Sequence, residues 1–205
     1  MQTAYAQPTL LDVLSPRLSR PAAAGRDIAL AIAGSLLLTL SAKLQIPFWP
    51  VPMTMQTFVV LVLGTAFGWR LGAATVALYL LEGALGLPVF AGTPERGIGL
   101  AYMMGPTGGY LAGFLAAAVL CGRLAERGWD RDPWGTALAM TVGHLLIILF
   151  GWAWLALLIG PHKAYLTGVE PFYAATAAKT LLAVITLPLA WKLVGRRPSA
   201  SRTSR

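Results

Sequence analysis

The sequence predicts an all-α integral membrane protein, a compact bundle of six transmembrane helices with both termini on the cytoplasmic side. Three observations carry this expectation. Of 205 residues, 57% are hydrophobic and 12% charged, with a mean hydropathy of +0.66, whereas soluble domains carry roughly 25% charged residues. Six Leu- and Ala-rich runs approach the ~20 residues that a helix needs to cross the hydrocarbon, and none alternates with the period of two expected of a barrel strand. Of the 16 Lys and Arg, twelve fall in one alternating set of gaps between the runs and three in the other. That asymmetry puts the richer side in the cytoplasm and makes the number of crossings even.

In chain order, residues 1–27 are a cytoplasmic lead-in without the uninterrupted apolar core of a signal peptide. Within it, Leu10, Leu11, Val13 and Leu14, bracketed by Pro8 and Pro16, suit one short interfacial turn. The membrane domain, residues 28–194, begins with Ile28 to Leu44, where Ala29 and Ala33, and in offset register Ala31 and Ser35, have the small-xxx-small spacing that lets helices approach closely. Met53 to Trp69 and Leu71 to Leu87 follow, and these first three runs sit at the lower length limit of about 17 residues. Gly105 to Leu124, Trp134 to Ile159 and Phe172 to Val194 complete the six, and residues 195–205 form a basic cytoplasmic tail.

Several chemistries are disfavoured. The sequence has no GxxxxGK[ST], so the backbone cradle and lysine of a P-loop are missing. No acid lies near the middle of a run, which argues against a buried-carboxylate proton relay. His144, His162 and the single Cys121 have no metal-ligand spacing, and Gly105 to Tyr110 lacks the preceding strand of a dinucleotide fingerprint. Basic residues are not interleaved with aromatics as a nucleic-acid surface would require. Neither an enzyme, nor a cofactor or metal, nor a nucleic-acid partner is expected.

Lys179 is the most informative position. It lies seven residues into the last run, about 10 Å along the helix from Phe172, where an ammonium costs roughly 2.5–3.5 kcal/mol unless water, a partner or a ligand meets it. Its helical neighbours Ala175, Thr176, Leu182 and Ala183, with Thr186 a turn further, suggest that it faces the bundle and holds an anion or carbonyl. Snorkelling along its own stem is the alternative. His144, midway along the fifth run, is read first as bonded to a neighbouring helix and second as a ligand contact. The outer loop Leu44 to Phe58 has three prolines, the adjacent aromatics Phe48 and Trp49, and the polar ends of Thr54, Gln56 and Thr57. It suits either a stiff wall for a small amphipathic ligand or an aromatic anchor at headgroup depth. The glycine-rich loop Gly86 to Gly109 is expected to fold back as a lid. In it, Gly108 and Gly109 offer either a close backbone approach to a ligand or helix packing. Glu82 is expected to balance an outer cation such as Arg96.

The ordered motifs IPFWPVPMTMQT (Ile46 to Thr57), GLPVFAG (Gly86 to Gly92), GPTGGYLAGF (Gly105 to Phe114) and G-x-x-PF-x6-K (Gly168 to Lys179) resemble the BioY family over about residues 28–194. These are the biotin-binding S components of energy-coupling-factor transporters. The resemblance implies a six-helix protein of the bacterial cytoplasmic membrane that captures biotin from outside, with the loop between the first two spans as gate. It implies as partners a transmembrane T component and two ATP-binding cassette ATPases, with self-association possible when the subunit acts alone. On matching positions it makes Lys179 a hydrogen-bond partner of biotin, Thr54 and Gln56 gate residues, Phe90, Gly108 and Tyr110 pocket wall and floor, and Ala29 and Ala33 the docking face for the T component. Many members have an acid three residues before the lysine where this chain has Thr176, so ureido recognition here must differ in detail. An S component for another vitamin and a ligand-free membrane scaffold are the competing functions.

Overall fold

A computed structural model describes residues 7–15, 19–47 and 49–195. Phe48, half of the proposed aromatic anchor, and the basic tail beyond residue 195 lie outside the described residues. The elements are α1 (Leu10–Leu14), α2 (Arg20–Lys43), β1 (Gln45–Ile46), β2 (Met53–Thr54), α3 (Gln56–Ala84), α4 (Gly99–Met103), α5 (Gly108–Ala125), α6 (Pro133–Ile159), α7 (Pro161–Gly168), a 3-10 turn (Glu170–Phe172) and α8 (Tyr173–Gly195). Among the described residues, five helical stretches are long and apolar enough to cross a membrane, with α3 counted once and α7 joined to α8.

The short turn expected in the lead-in is α1. Its start is a capping box: the Asp12 amide donates to Thr9 Oγ1 while the Thr9 amide donates to the Asp12 carboxylate. The first long helix begins eight residues earlier than its apolar run, at Arg20, because Pro21 in the first turn and the alanines after it favour helix without being strongly apolar.

The second and third apolar runs are joined without a loop. Gly68 alone leaves helical geometry, at φ 77° and ψ 170°, a region open in practice only to glycine. The chain then reverses, so that a Cβ on Gly72 would stand 2.8 Å from Gly64 Cα, although residues eight apart in a continuous helix are about 12 Å apart. α3 is therefore a hairpin of two arms, and the Trp69 amide at its turn donates to the Glu126 carboxylate.

Helix α5 is the inner member of the bundle. Small residues bring it against both neighbours: a Cβ on Gly64 of α3 would meet the Ala118 carbonyl at 2.8 Å, and one on Gly113 would meet Ile147 Cα of α6 at 2.9 Å. Such contacts drive association where lipid removes any hydrophobic incentive between helices. Asp132 caps α6, accepting from the Trp134 and Gly135 amides ahead of the helix interior. Leu36, Leu40, Leu145, Leu149, Leu157, Leu181, Ile185 and Leu189 are exposed around the outside, the surface expected of a bundle solvated by lipid.

The two ends of the bundle differ. At one end lie α1, the Gly68 turn, the segment between α5 and α6, and the end of α8. Here Arg70 and Arg123 both stack on Trp69, Arg131 stacks on Trp191, and Trp191 Nε1 donates to Asp130. Burial, only partly offset by that bond, raises the Asp130 carboxyl above its ordinary range. The opposite end carries the β1–β2 hairpin, residues 85–107 and α7. Glu82 there pairs with the Ser35 hydroxyl rather than with the expected Arg96, because the two α3 arms bring its side chain against α2.

Candidate functional site

The site is assembled at the hairpin end. The register Gln45↔Thr54 and Ile46↔Met53, closed by Met55 N donating to the Leu44 carbonyl, turns the proline-rich loop back over the start of α3. Thr54 Oγ1 accepts from the Gln56 amide at 3.2 Å, giving a partner to one of the free amides in the first turn of α3. The Gln56 side chain then donates to Tyr79 OH at 2.6 Å, and Tyr79 donates to the Val89 carbonyl at 3.1 Å. One chain of bonds thus links the hairpin, both arms of α3 and the loop beyond.

Lys179 reaches this structure from α8. Its side chain is buried, and Nζ donates to the Thr54 carbonyl at 2.6 Å and to Thr57 Oγ1 at 3.0 Å. The interior reading holds and the snorkelling one does not. The buried face of α8 differs in detail from the helical neighbours expected of it: Ala183, Leu187 and Pro188 are buried, whereas Leu182 and Thr186 are exposed, because the helix meets α6 on one side only.

Val51, Pro52, Thr54, Gln56 and Thr57 from the hairpin and α3, Tyr110, Leu111 and Phe114 from α5, His144 and Ile147 from α6, and Thr176 and Lys179 from α8 surround a partly open cavity. Ala91, Tyr102 and Thr107 close it from the loop side. Lys179 is the one cation among the described lining residues, and no carboxylate is among them. Tyr110 is held in place by donating to the Gly168 carbonyl at 2.5 Å, and its ring fills the space left by Gly151, where a Cβ would stand 2.3 Å from it. An apolar bowl with a few fixed polar groups binds small ligands by shape and orients them by hydrogen bonds.

Seven residues singled out in the sequence therefore meet: Lys179, Thr54, Gln56, Thr57, Tyr110, Thr176 and His144. Phe90 and Gly108 stand behind the lining. Phe90 stacks on Tyr102 at 4.9 Å, meets Tyr79 edge-on at 5.4 Å, and occupies the space left by Gly83. Gly108 permits the start of α5 to pass the Met103 carbonyl, 2.0 Å from where its Cβ would be, and Gly109 does the same against Trp154. Ala29 and Ala33 lie on the exposed side of α2, away from the cavity.

The lid expected over residues 86–109 folds around α4. Lys43, at the end of α2, ties it down by donating to the carbonyls of Pro88, Phe90 and Thr93 at 2.9–3.2 Å. Tyr102, whose hydroxyl burial keeps protonated by raising it above a free phenol, donates to the Ala91 carbonyl at 2.8 Å. Sequence reading missed Tyr79, Tyr102, Phe114 and Lys43. For Tyr79 a signal existed. Gln56 and Tyr79 lie almost symmetrically about Gly68, as do Gly64 and Gly72, so taking Gly68 as the turn pairs them.

The BioY family model matches residues 15–196. A probable biotin transporter BioY of Pyrococcus horikoshii is 37% identical over 160 residues, covering 78% of this chain and 93% of that protein. A biotin transporter BioY2 of Lactococcus lactis is 32% identical over 164 residues, covering 78% and 86%. The crystal structure of the S-component for biotin from an ECF-type ABC transporter superposes with a TM-score of 0.72 at 21% identity, over 86% of this chain and 95% of that one, a likeness of fold. The family match and the extent of these relatives agree with the all-helical fold: the chain belongs to the BioY family.

Proposed function

We propose that the chain is the substrate-capture subunit of an energy-coupling-factor transporter, which takes biotin from the outer face and releases it to the cytoplasm with a transmembrane T component and two ABC ATPases. The observation that carries the reading is the buried Lys179. An ammonium has three N–H donors and the protein engages two of them, so one remains for a ligand oxygen in a cavity otherwise lined by apolar groups, hydroxyls and amides. Biotin supplies such an oxygen at either end, together with an apolar bicycle to fill the bowl.

In this reading Thr54, Gln56, Tyr110 and Thr176 contact the ligand beside Lys179, while Phe90 and Gly108 shape the wall from behind. The two arms of α3 are separate crossings, giving six in a bacterial cytoplasmic membrane. The arginine-rich end, which carries the start of α2 and the end of α8, faces the cytoplasm. Ala29 and Ala33 dock the T component.

The test is calorimetry on gently purified, biotin-stripped protein. Biotin is expected to bind, and Lys179→Ala to weaken it by about tenfold or more, as loss of a charged hydrogen bond implies. Wild-type protein that ignores biotin, or that binds it no better than other vitamins in competition, overturns the reading.

A further inference from the structure

His144 is buried at 2% exposure on α6 and lines the cavity. Its two ring nitrogens are in different situations. Nδ1 stands 3.0 Å from the Met140 carbonyl, one turn back on the same helix, and 3.3 Å from Thr180 Oγ1 of α8. Nε2 is shielded from solvent and is without a hydrogen-bond partner among the described residues.

These contacts determine the tautomer. A carbonyl oxygen only accepts, so the 3.0 Å contact requires the proton on Nδ1; the reverse assignment would set two lone pairs against each other. Thr180 Oγ1 then accepts a second, weaker share of the same proton. A doubly protonated ring would add a second cation beside Lys179 in a pocket whose described lining has no carboxylate to balance it. The ring is therefore neutral, and Nε2 presents a bare lone pair. Three nearby acceptors already have donors: Gln56 Oε1 accepts from the Thr54 hydroxyl, and the Thr54 carbonyl and Thr57 Oγ1 accept from Lys179. A buried acceptor left without a donor is unfavourable and rare in folded proteins.

We propose that His144 Nε2 is the acceptor for an N–H group of the bound ligand and is a specificity-determining residue of this pocket. Together with the unused donor of Lys179 it makes a donor–acceptor pair, which is the complement of a C(=O)–N–H unit such as a cyclic urea. The ureido end of biotin, rather than its carboxylate, is then the end that enters between α6 and α8. Its N–H meets Nε2, and its carbonyl oxygen lies on the Lys179 side. This rests on the biotin-binding reading above, and discriminating against a ligand that lacks the N–H follows from leaving Nε2 unpaired.

The test uses the whole protein labelled with 15N at histidine. In the unliganded protein Nδ1 should give a protonated signal and Nε2 an unprotonated one; adding biotin should move the Nε2 signal upfield as its lone pair is engaged and leave Nδ1 in place. In parallel, His144→Gln, whose amide oxygen can reach the same position, should bind biotin within about threefold of wild type, and His144→Leu, of similar size without an acceptor, about tenfold or more weakly. If biotin binds while the Nε2 signal stays put or proves protonated from the start, the proposal is overturned and the biotin reading stands. The same holds if His144→Leu binds as tightly as wild type. If wild-type protein binds no biotin, both fall. The isotope experiment needs no substitution, so a variant that fails to fold does not remove the test.

Discussion

At the scale of single residues, the pocket is ordered by polar side chains that each satisfy a partner far away in sequence. Tyr79 is an example. Its hydroxyl accepts from Gln56 and donates to the Val89 carbonyl, so it joins the base of the β1–β2 hairpin to the loop opposite. Tyr79→Phe keeps the ring and its edge-on contact with Phe90 but strands a buried amide donor and a buried carbonyl. Stranded groups of this kind cost about 1–3 kcal/mol each. The expected result is a lowered apparent melting temperature in detergent and a smaller loss of biotin affinity than Lys179→Ala produces, measured on the same preparations. An unchanged melting curve would show that the bond chain contributes nothing. Lys179 itself was legible in the sequence, because a charge within an apolar run is conspicuous wherever it points. Its partners were only partly so: Thr57 lay in a loop already marked as polar-ended, but nothing local says that a lysine in the last helix donates to the Thr54 carbonyl.

At the scale of elements, most helices were legible because lipid demands long apolar runs and proline or glycine punctuates their ends. What periodicity could not supply was how elements meet. The reversal at Gly68 has no loop composition around it, since a single glycine at φ 77° replaces a loop. The loop over residues 86–109 reads as long and glycine-rich and is expected to fold back, but nothing in its composition says that Lys43, at the end of α2, fixes three of its carbonyls. Helix α2 leaves one side open, with Ile28, Ala29, Ile32, Ala33, Leu36 and Leu40 exposed. In that row the two alanines leave a shallow notch in which another helix can approach closely. Ala29→Leu with Ala33→Leu should fill it. Co-purification with a T component is then expected to be lost while biotin affinity stays within about twofold of wild type, since neither residue lines the cavity. Retained co-purification would move the docking face elsewhere.

At the scale of the whole molecule, the cavity and the arginine-rich surface occupy opposite ends of the bundle, and their separation gives the protein its direction. The orientation can be tested with a membrane-impermeant maleimide on intact cells. His162→Cys, exposed at the start of α7 on the cavity end, should label from outside, and Arg127→Cys, exposed between α5 and α6, only after the membrane is opened. Cys121 is buried and should give no background. The reverse pattern would invert the topology. The tie between Lys179 Nζ and the Thr54 carbonyl has one more consequence, and it concerns time. Thr54 belongs to the hairpin beside the cavity and Lys179 to α8, so any movement that lifts the hairpin away from α8 must also break a charge-assisted bond of 2.6 Å, and the rupture of that bond slows the movement.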